Sequence, residues 1–541
     1  MKVCDAIAEI LRREGVDTLF AYPRNAVIEA AAAIGIRPIV VRQERTGLHM
    51  ADALSRLSRG RRMGVFAMQH GPGTENAYGG VAQAFSESVP VLVLPQGYAR
   101  RLAHVPDNYN ATRSMRDVTK HAEPLTAPEE TANVLRRAFT RLRNGRGRPV
   151  LVELPHDLLR EEAGELDYAP VVRTRWAPDP GAVAAAARAL VEARRPVIHA
   201  GQGVHWADAH DELRALAELL AAPVSTSLEG KSAFDETHGL ALGAGGAAIP
   251  APVRHFLDRA DLILGIGCSF SETAFGVAMP SGKTVIHATL DPADLNKAVP
   301  CSHALIGDAR LTLAMLHDAC RALLDAPRDA APVMAEIEEV ERAWLAEWMP
   351  LLTCDDAPLS PYRVLWELQR TVDVANTIIT HDAGSPRDQL SPFWKATAPL
   401  GYIGWGKSTQ LGYGLGLAMG AKLACPEKLC INVWGDAAIG FTGMDFETAV
   451  RERLPILSIL LNNQAMAIEL PVMPVATERY AATAISGDYA AFARALGGHG
   501  ERVTTPDQIG PAIRRGIAAT ERGQPALVEF ITARETRASR L

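Results

Sequence analysis

Short hydrophobic runs alternate with longer stretches whose apolar positions recur at helical spacing along nearly the whole chain. From Met1 to Tyr168 the pattern predicts helix Cys4–Glu14, strand Thr18–Ala21, helix Val27–Ala33, strand Pro38–Val41 and helix Thr46–Arg59. Strand Met63–Met68 follows, then a glycine-rich turn at Gly71-Pro72-Gly73 that opens a helix, and strand Val91–Pro95. A proline-bearing linker, Asp167–Pro180, leads to a second alternating segment with strands Pro196–Ala200, Leu262–Gly265 and Thr284–His287. A helix around Pro332–Trp348 connects to the third segment, which opens with helix Tyr362–Thr371 and strand Thr377–Thr380. There a further strand ends at Gly435-Asp436. Phe446, Ala449, Val450 and Leu454 then mark a helix stopped by Pro455, and Ile456–Leu461 reads as a buried strand. Regular alternation of this kind predicts α/β architecture, with three doubly wound parallel-sheet domains at 1–168, 181–325 and 360–531.

The length of 541 residues suits three or four domains, and 48% hydrophobic with 22% charged residues is ordinary for a globular protein. A net charge of −6 without a basic run gives no support for nucleic-acid binding. Seven single cysteines without a CxxC pair suggest neither a zinc site nor a disulfide framework. The N-terminal MKVCDAIAEILRREG reads as an amphipathic helix rather than a signal peptide, and no apolar run reaches membrane-spanning length. The expected location is the cytoplasm.

In the third segment Gly435-Asp436 and Asn462-Asn463 both fall at C-terminal ends of strands, the edge where parallel sheets bind ligands. A carboxylate, an amide oxygen and a nearby backbone carbonyl are hard ligands able to complete an octahedral Mg²⁺ shell with phosphate oxygens and water. Gly435, Ala437 and Ala438 are small enough for backbone N–H groups to approach a phosphate at the next helix start. The plainer alternative is a structural βαβ unit in which Asp436 caps the helix and Asn-Asn makes a turn. The combination resembles the fingerprint of the thiamine-diphosphate enzyme superfamily, Gly-Asp-Gly followed after about two dozen residues by Asn-Asn. Here 24 residues separate Ala437 from Asn462. The resemblance implies that Asp436 and Asn463 hold Mg²⁺, with the carbonyl of Ala465 as third protein ligand and Met466 reaching the pocket. Ala437 replaces the third fingerprint glycine, which is tolerable if its φ is negative.

Glu44, just beyond a strand, reads from the residues alone as a helix-start glutamate. Its surroundings, VRQERTGLHMADALSRLSRG, resemble the superfamily stretch whose glutamate hydrogen-bonds N1′ of the cofactor's aminopyrimidine. That carboxylate favours the tautomer whose nitrogen can remove the thiazolium C2 proton, more strongly where water is scarce. The turn His70-Gly71-Pro72-Gly73 resembles one that usually begins with serine in acetolactate synthases, with Gly71 among the cofactor-lining positions. His70 there is either a proton shuttle or a hydrogen-bonded wall residue. The run PVLVLPQGYARRLAH is similar to the same synthases and implies that Gln96 approaches the cofactor. His104, Asn108, Tyr109 and Asn110 fall in the variable loop beyond it, where specificity could be set. By the same resemblance Ala383, Gly384 and Ser385 line the phosphate pocket; from the residues alone Ser385 could instead serve as a helix cap. In WGKSTQLGYG, Gln410 lies at the cofactor and Leu411 is the bulky wedge that bends it between its rings.

The resemblance covers nearly the full chain. It implies a pyrimidine-binding domain first, a Rossmann-like domain in the centre and a diphosphate-binding domain last. The cofactor, thiamine diphosphate with Mg²⁺, would lie between the first domain of one chain and the third of another, so a homodimer or homotetramer is expected. The implied activity is C–C bond cleavage or formation on a small-molecule 2-oxo acid, as an acetolactate synthase-like carboligase or decarboxylase. In the central domain Cys268-Ser269-Phe270-Ser271-Glu272 replaces an acidic, arginine-containing turn typical of the synthases. FAD is therefore doubtful, and a structural role is expected for that domain. The phrase GDAAIGFTGMDFET also resembles oxalyl-CoA decarboxylase and 2-hydroxyacyl-CoA lyase, an alternative with an acyl-CoA substrate. A catalytically inactive cofactor-binding partner protein is the alternative of another class. Residues facing the substrate are expected after Gln96 and around Ala465–Glu469, with Glu469 either an acid or base or a solvated surface group.

Overall fold

The computed structural model describes residues 1–540 and resolves three six-stranded sheets. The first contains β1 (Thr18–Ala21), β2 (Arg37–Val40), β3 (Gly64–Met68), β4 (Val91–Gly97), β5 (His121–Pro124) and β6 (Val150–Pro155), in the order β2-β1-β3-β4-β6-β5. The central sheet holds β7 (Pro196–Ala200), β8 (Val224–Ser227), β9 (Ala241–Gly245), β10 (Leu262–Ile266), β11 (Thr284–Thr289) and β12 (His303–Ile306), ordered β12-β11-β10-β7-β8-β9. The third comprises β13 (Thr377–His381), β14 (Tyr402–Ile403), β15 (Leu429–Gly435), β16 (Leu457–Asn462), β17 (His499–Val503) and β18 (Ala526–Ile531), ordered β14-β13-β15-β16-β18-β17.

Every ladder is parallel. Parallel strands carry helices on both faces, which is why β3 and β16 are buried along their whole length and read as predominantly apolar runs, β16 broken by Ser458 before its terminal Asn462. The segment between the first two sheets, around Pro170 and Pro178, has no regular structure. Two boundaries move in ways that matter for the site. Glu44 is the first residue of the helix Glu44–Leu57 rather than a residue ahead of it. The stretch after Asp436 divides into Asp436–Thr442, a 3-10 turn at Gly443–Asp445, and Phe446–Arg451.

The first and third domains also meet within the chain. The helix Tyr413–Ala424 lies across Glu44–Leu57 so closely that a methyl group on Gly416 would sit 2.4 Å from His49 Cβ, and one on Gly420 would sit 2.4 Å from the Met50 carbonyl oxygen. Around this crossing, Phe66, Trp405, Tyr413 and Trp434 belong to one continuous apolar core.

Candidate active site

Three strand ends of the third sheet converge on a cavity of about 80 Å³. After β13 come Ala383, Gly384 and Ser385, with Gly384 at φ +90°, a conformation glycine adopts without a Cβ penalty. After β15 come Gly435, Asp436, Ala437 and Ala438, and after β16 come Asn463, Ala465 and Met466. Leu411 enters from the loop ahead of helix Tyr413–Ala424, and Ile468 and Glu469 close one side. Ala437 lies inside helix Asp436–Thr442 and is not among the residues with positive φ, so a glycine is not required there.

Asp436 is buried, and its Oδ1 accepts the Ala437 N–H at 3.0 Å while its Oδ2 has no hydrogen-bond partner. Burial pushes its pKa up to about 6, against the pull of backbone N–H groups of Gln464, Ala437 and Ala465. An unsatisfied buried carboxylate oxygen on a cavity wall is costly without a partner. Together with the Asn463 amide oxygen and the Ala465 carbonyl, it is the donor set a hard divalent cation takes. Asn463 Oδ1 accepts the Ala465 N–H at 3.0 Å, which fixes the turn and leaves a second lone pair free. Among the described residues no three His, Cys, Asp or Glu side chains converge as a metal cluster, so such a cation would lean on phosphate oxygens.

The first domain supplies none of this cavity's lining. Its candidates gather instead at the carboxyl ends of β2, β3 and β4. Glu44 is buried, and its carboxyl is raised above the ordinary glutamate value, first by burial and to a lesser degree by Asp445. Gln96 Nε2 lies 3.5 Å from His70 Nδ1, and the His70 ring packs against Tyr98 with centroids 4.5 Å apart. Burial, His156 and Arg24 all lower the His70 pKa, which favours the neutral imidazole. Gly71, at φ +60°, faces the Tyr98 hydroxyl. Gln410 turns away from the cavity: its Oε1 meets His49 Nε2 at 3.0 Å inside the contact between domains.

Several buried acids support these residues without any sequence pattern marking them. Asp382 accepts the N–H groups of Ala383, Gly412 and Gly414 at 2.8, 2.9 and 2.9 Å, joining the turn after β13 to the Leu411 loop. Glu529 accepts from Asn462 Nδ2 at 2.7 Å and from Arg502 at 3.1 Å, which steadies the turn carrying Asn463. Glu87 receives the backbone of the same Leu411 loop. A carboxylate that serves distant backbone N–H groups leaves no spacing to recognise; the only signal is an acid among apolar neighbours, as Glu529 shows in ALVEFI. A second cavity, of about 290 Å³, opens between the central domain and its neighbours. It is lined by Gly267–Thr273, Phe275, Gly276, Arg146, Arg173, Asp291 and Lys407.

Fold and cleft together define a three-domain α/β architecture with an open cleft at the carboxyl edge of the third sheet, the edge where parallel sheets bind ligands. Comparison with known families agrees domain by domain. Residues 1–121 match the N-terminal thiamine pyrophosphate binding domain, 183–316 the thiamine pyrophosphate enzyme central domain and 382–530 the C-terminal thiamine pyrophosphate binding domain. The acetolactate synthase large subunit of Parasynechococcus marenigrum is 30% identical over 94% of this chain and 87% of its own length. The isozyme 3 large subunit of Escherichia coli is 30% identical over 86% and 82%. A probable acetolactate synthase large subunit of Methanocaldococcus jannaschii is 28% identical over 98% and 92%. The chain belongs to the thiamine pyrophosphate enzyme family. It is a thiamine-diphosphate-dependent enzyme similar to acetolactate synthase large subunits.

Proposed function

We propose that this enzyme cleaves a 2-oxo acid at the bond next to its carbonyl and either releases the product or joins it to a second carbonyl compound, without an obligatory flavin. Thiamine diphosphate, when bound, supplies a thiazolium that acts as electron sink for that cleavage. Ala383, Gly384 and Ser385 would receive the diphosphate. Asp436, Asn463 and the Ala465 carbonyl would hold it through Mg²⁺, and Leu411 would brace the cofactor between its rings. Glu44 would hold the proton shared with N1′ of the pyrimidine, in a setting dry enough to strengthen that bond. His70, joined to Gln96, would pass a proton at the substrate end. The observation carrying this reading is the convergence of three strand-end turns and Leu411 on one cavity, with Asp436 Oδ2 lacking a partner.

Glu44, His70 and Gln96 do not line the cavity of their own chain, which supports a site completed by a second copy. Phe441, Met444, Met466 and Ile468 leave large apolar side chains exposed near the same cleft, as a subunit interface would require. A homodimer or homotetramer in the cytoplasm follows as our reading; no helix among the described residues is long and apolar enough to cross a membrane. The relatives' printed description as large subunits supports a smaller companion chain. The deciding experiment is turnover of 2-oxo acids by purified protein loaded with thiamine diphosphate and Mg²⁺, with and without an acceptor aldehyde. Failure to consume any 2-oxo acid would remove the reading.

The 290 Å³ cavity favours a second reading, in which the central domain takes a nucleotide-bearing group, either a flavin or the handle of an acyl-CoA substrate. Most of its arginines are already engaged, Arg146 with Asp294 and Arg59 with Asp208, and this is why the flavin-free 2-oxo acid reading ranks first. The absorbance of purified protein and thermal stabilisation by added CoA separate the two.

A further inference from the structure

The loop Gly404–Gly412 carries Leu411 to the cofactor cavity, yet most of what fixes it comes from the first domain of the same chain. Glu87 follows helix Pro72–Ser86 and is fully buried. Its Oε1 accepts the backbone N–H groups of Gly406, Lys407 and Ser408 at 3.1, 2.8 and 3.4 Å, and the Gln83 side-chain amide at 3.3 Å. Gln83 returns its own Oε1 to the Gln410 N–H at 3.2 Å. At the near end of the loop, Arg56 donates to the Gly404 carbonyl at 3.0 Å while its guanidinium is held by Asp52. At the far end, Asp52 also takes the Tyr413 hydroxyl, and Asp382 holds the Gly412 N–H.

One carboxylate oxygen that gathers three successive backbone N–H groups forces the chain to curl around it, as anion-binding turns do. In a polymer loop this leaves little freedom for the residues immediately beyond. Gly404 cannot yield in the other direction, because an added Cβ would lie 1.7 Å from the Leu228 carbonyl oxygen. The Glu87 Oε2 has no partner, and Arg56, Lys407 and Glu229 are the charged groups facing this carboxyl. An acid kept buried at that cost, bonded mainly to a neighbouring domain's backbone, has a task beyond closing its own helix.

We propose that Glu87 is a positioning residue for Leu411: by clasping the backbone of residues 406–408 it sets how far the wedge projects into the cofactor cavity. This rests on the reading of Leu411 given above. It assigns each first domain two duties, Glu44 toward the cofactor of the partner's third domain and Glu87 toward the wedge of its own third domain.

Hydrogen exchange of the cofactor-free protein tests the first link without any turnover. Glu87→Ala should speed exchange of the amides in 404–412 by about 10-fold or more, the scale of losing a hydrogen bond to a charged group. Glu87→Gln keeps one acceptor oxygen and should restore most of the protection. Unchanged loop exchange in Glu87→Ala, or an increase spread evenly over the helices 72–86 and 413–424, overturns the proposal. The second link is read from calorimetric affinity for thiamine diphosphate in a double-mutant cycle. Glu87→Ala should weaken binding in the wild type and have little further effect in Leu411→Ala, since both losses pass through the same wedge. Independent, additive losses overturn it. Wild-type protein that binds no thiamine diphosphate would count against the proposed function instead, and the loop-exchange result would still judge Glu87.

Discussion

Replacing Gly420 with alanine puts a single methyl group into the tightest helix crossing described for this chain, between Tyr413–Ala424 and Glu44–Leu57. An added Cβ would lie 2.4 Å from the Met50 carbonyl oxygen and 2.8 Å from Ala53 Cβ, and both obstacles belong to a helix rather than to a flexible side-chain tip. Ordinary contact requires the helices to separate by about 1 Å, a shift that costs about 1–3 kcal/mol in a packed core. The crossing is pinned at one end by Tyr413 on Asp52 and by Gln410 on His49, so the strain falls near the upper part of that range. Alanine returns about 1 kcal/mol through its better helix propensity, leaving a net loss of about 2 kcal/mol. The same substitution at Gly440, inside helix Asp436–Thr442 with nothing within 4 Å of the added atom, meets no obstacle and should be neutral or stabilising by up to about 1 kcal/mol. Urea denaturation followed by tryptophan fluorescence measures both variants. Because Glu44 is the first residue of the displaced helix, exchange of the bound cofactor's C2 proton should fall as well, toward the ~10²-fold loss that an ångström of misplacement can cause. A Gly420→Ala protein as stable as the wild type, or a Gly440→Ala protein that loses as much, would refute the reading of the crossing as a close-packed contact that fixes Glu44.

Glu44→Gln should leave thiamine diphosphate affinity largely intact and slow C2-proton exchange by roughly 10²–10⁴-fold, and equal rates would take Glu44 out of the site. Asp436→Ala should abolish Mg²⁺-dependent cofactor binding in calorimetry, since the diphosphate loses its anchored counter-ion; tight binding would contradict the metal role. Glu44 is raised above the ordinary value of 4.5 chiefly by burial, so its ionised form disappears on acidification sooner than that of a free glutamate. The rate of C2-proton exchange should therefore fall with decreasing pH along a limb centred above 4.5, and Asp445→Asn should move that limb slightly down. A limb at or below the free-glutamate value in the wild type would show that burial does not govern Glu44.

The strands that build the cleft were legible because they are mostly apolar: Ile456–Leu461, broken only by Ser458, and the run ending at Gly435, broken only by Asn432, announce both their structure and their edge. Others escaped for physical reasons. Val224–Ser227 is three parts hydroxyl-bearing or small, Ala241–Gly245 is mostly alanine and glycine, and Tyr402–Ile403 is two residues long, so none carries a hydrophobic run to find. The turns proposed for metal and phosphate stood out in the sequence because such roles call for side chains of particular types at particular strand ends. Gln410 stands in the same motif as Leu411, but alternate residues of an irregular loop face different neighbours, and only coordinates reveal that it meets His49. Glu87 and Asp382 accept mainly from peptide groups, which every residue possesses, and Glu529 takes the side chains of Asn462 and Arg502, far from it along the chain, so no spacing marks the contacts of any of the three.

The strand orders of the first and third sheets coincide: taken in chain order, each runs second, first, third, fourth, sixth, fifth, whereas the central sheet does not. Corresponding strand ends can therefore be overlaid one on another. The turn after the third strand bears His70 and Gly71 in one copy and Asp436 in the other, and the fourth strand leads to Gln96 in one and to Asn463 in the other. The same strand arrangement thus occurs twice within this polypeptide, once with an imidazole and an amide at its strand ends, His70 and Gln96, and once with a buried acid and an amide, Asp436 and Asn463. What separates the two halves chemically is a handful of residues in the turns, and it is there, not in the frame, that new specificities would be introduced.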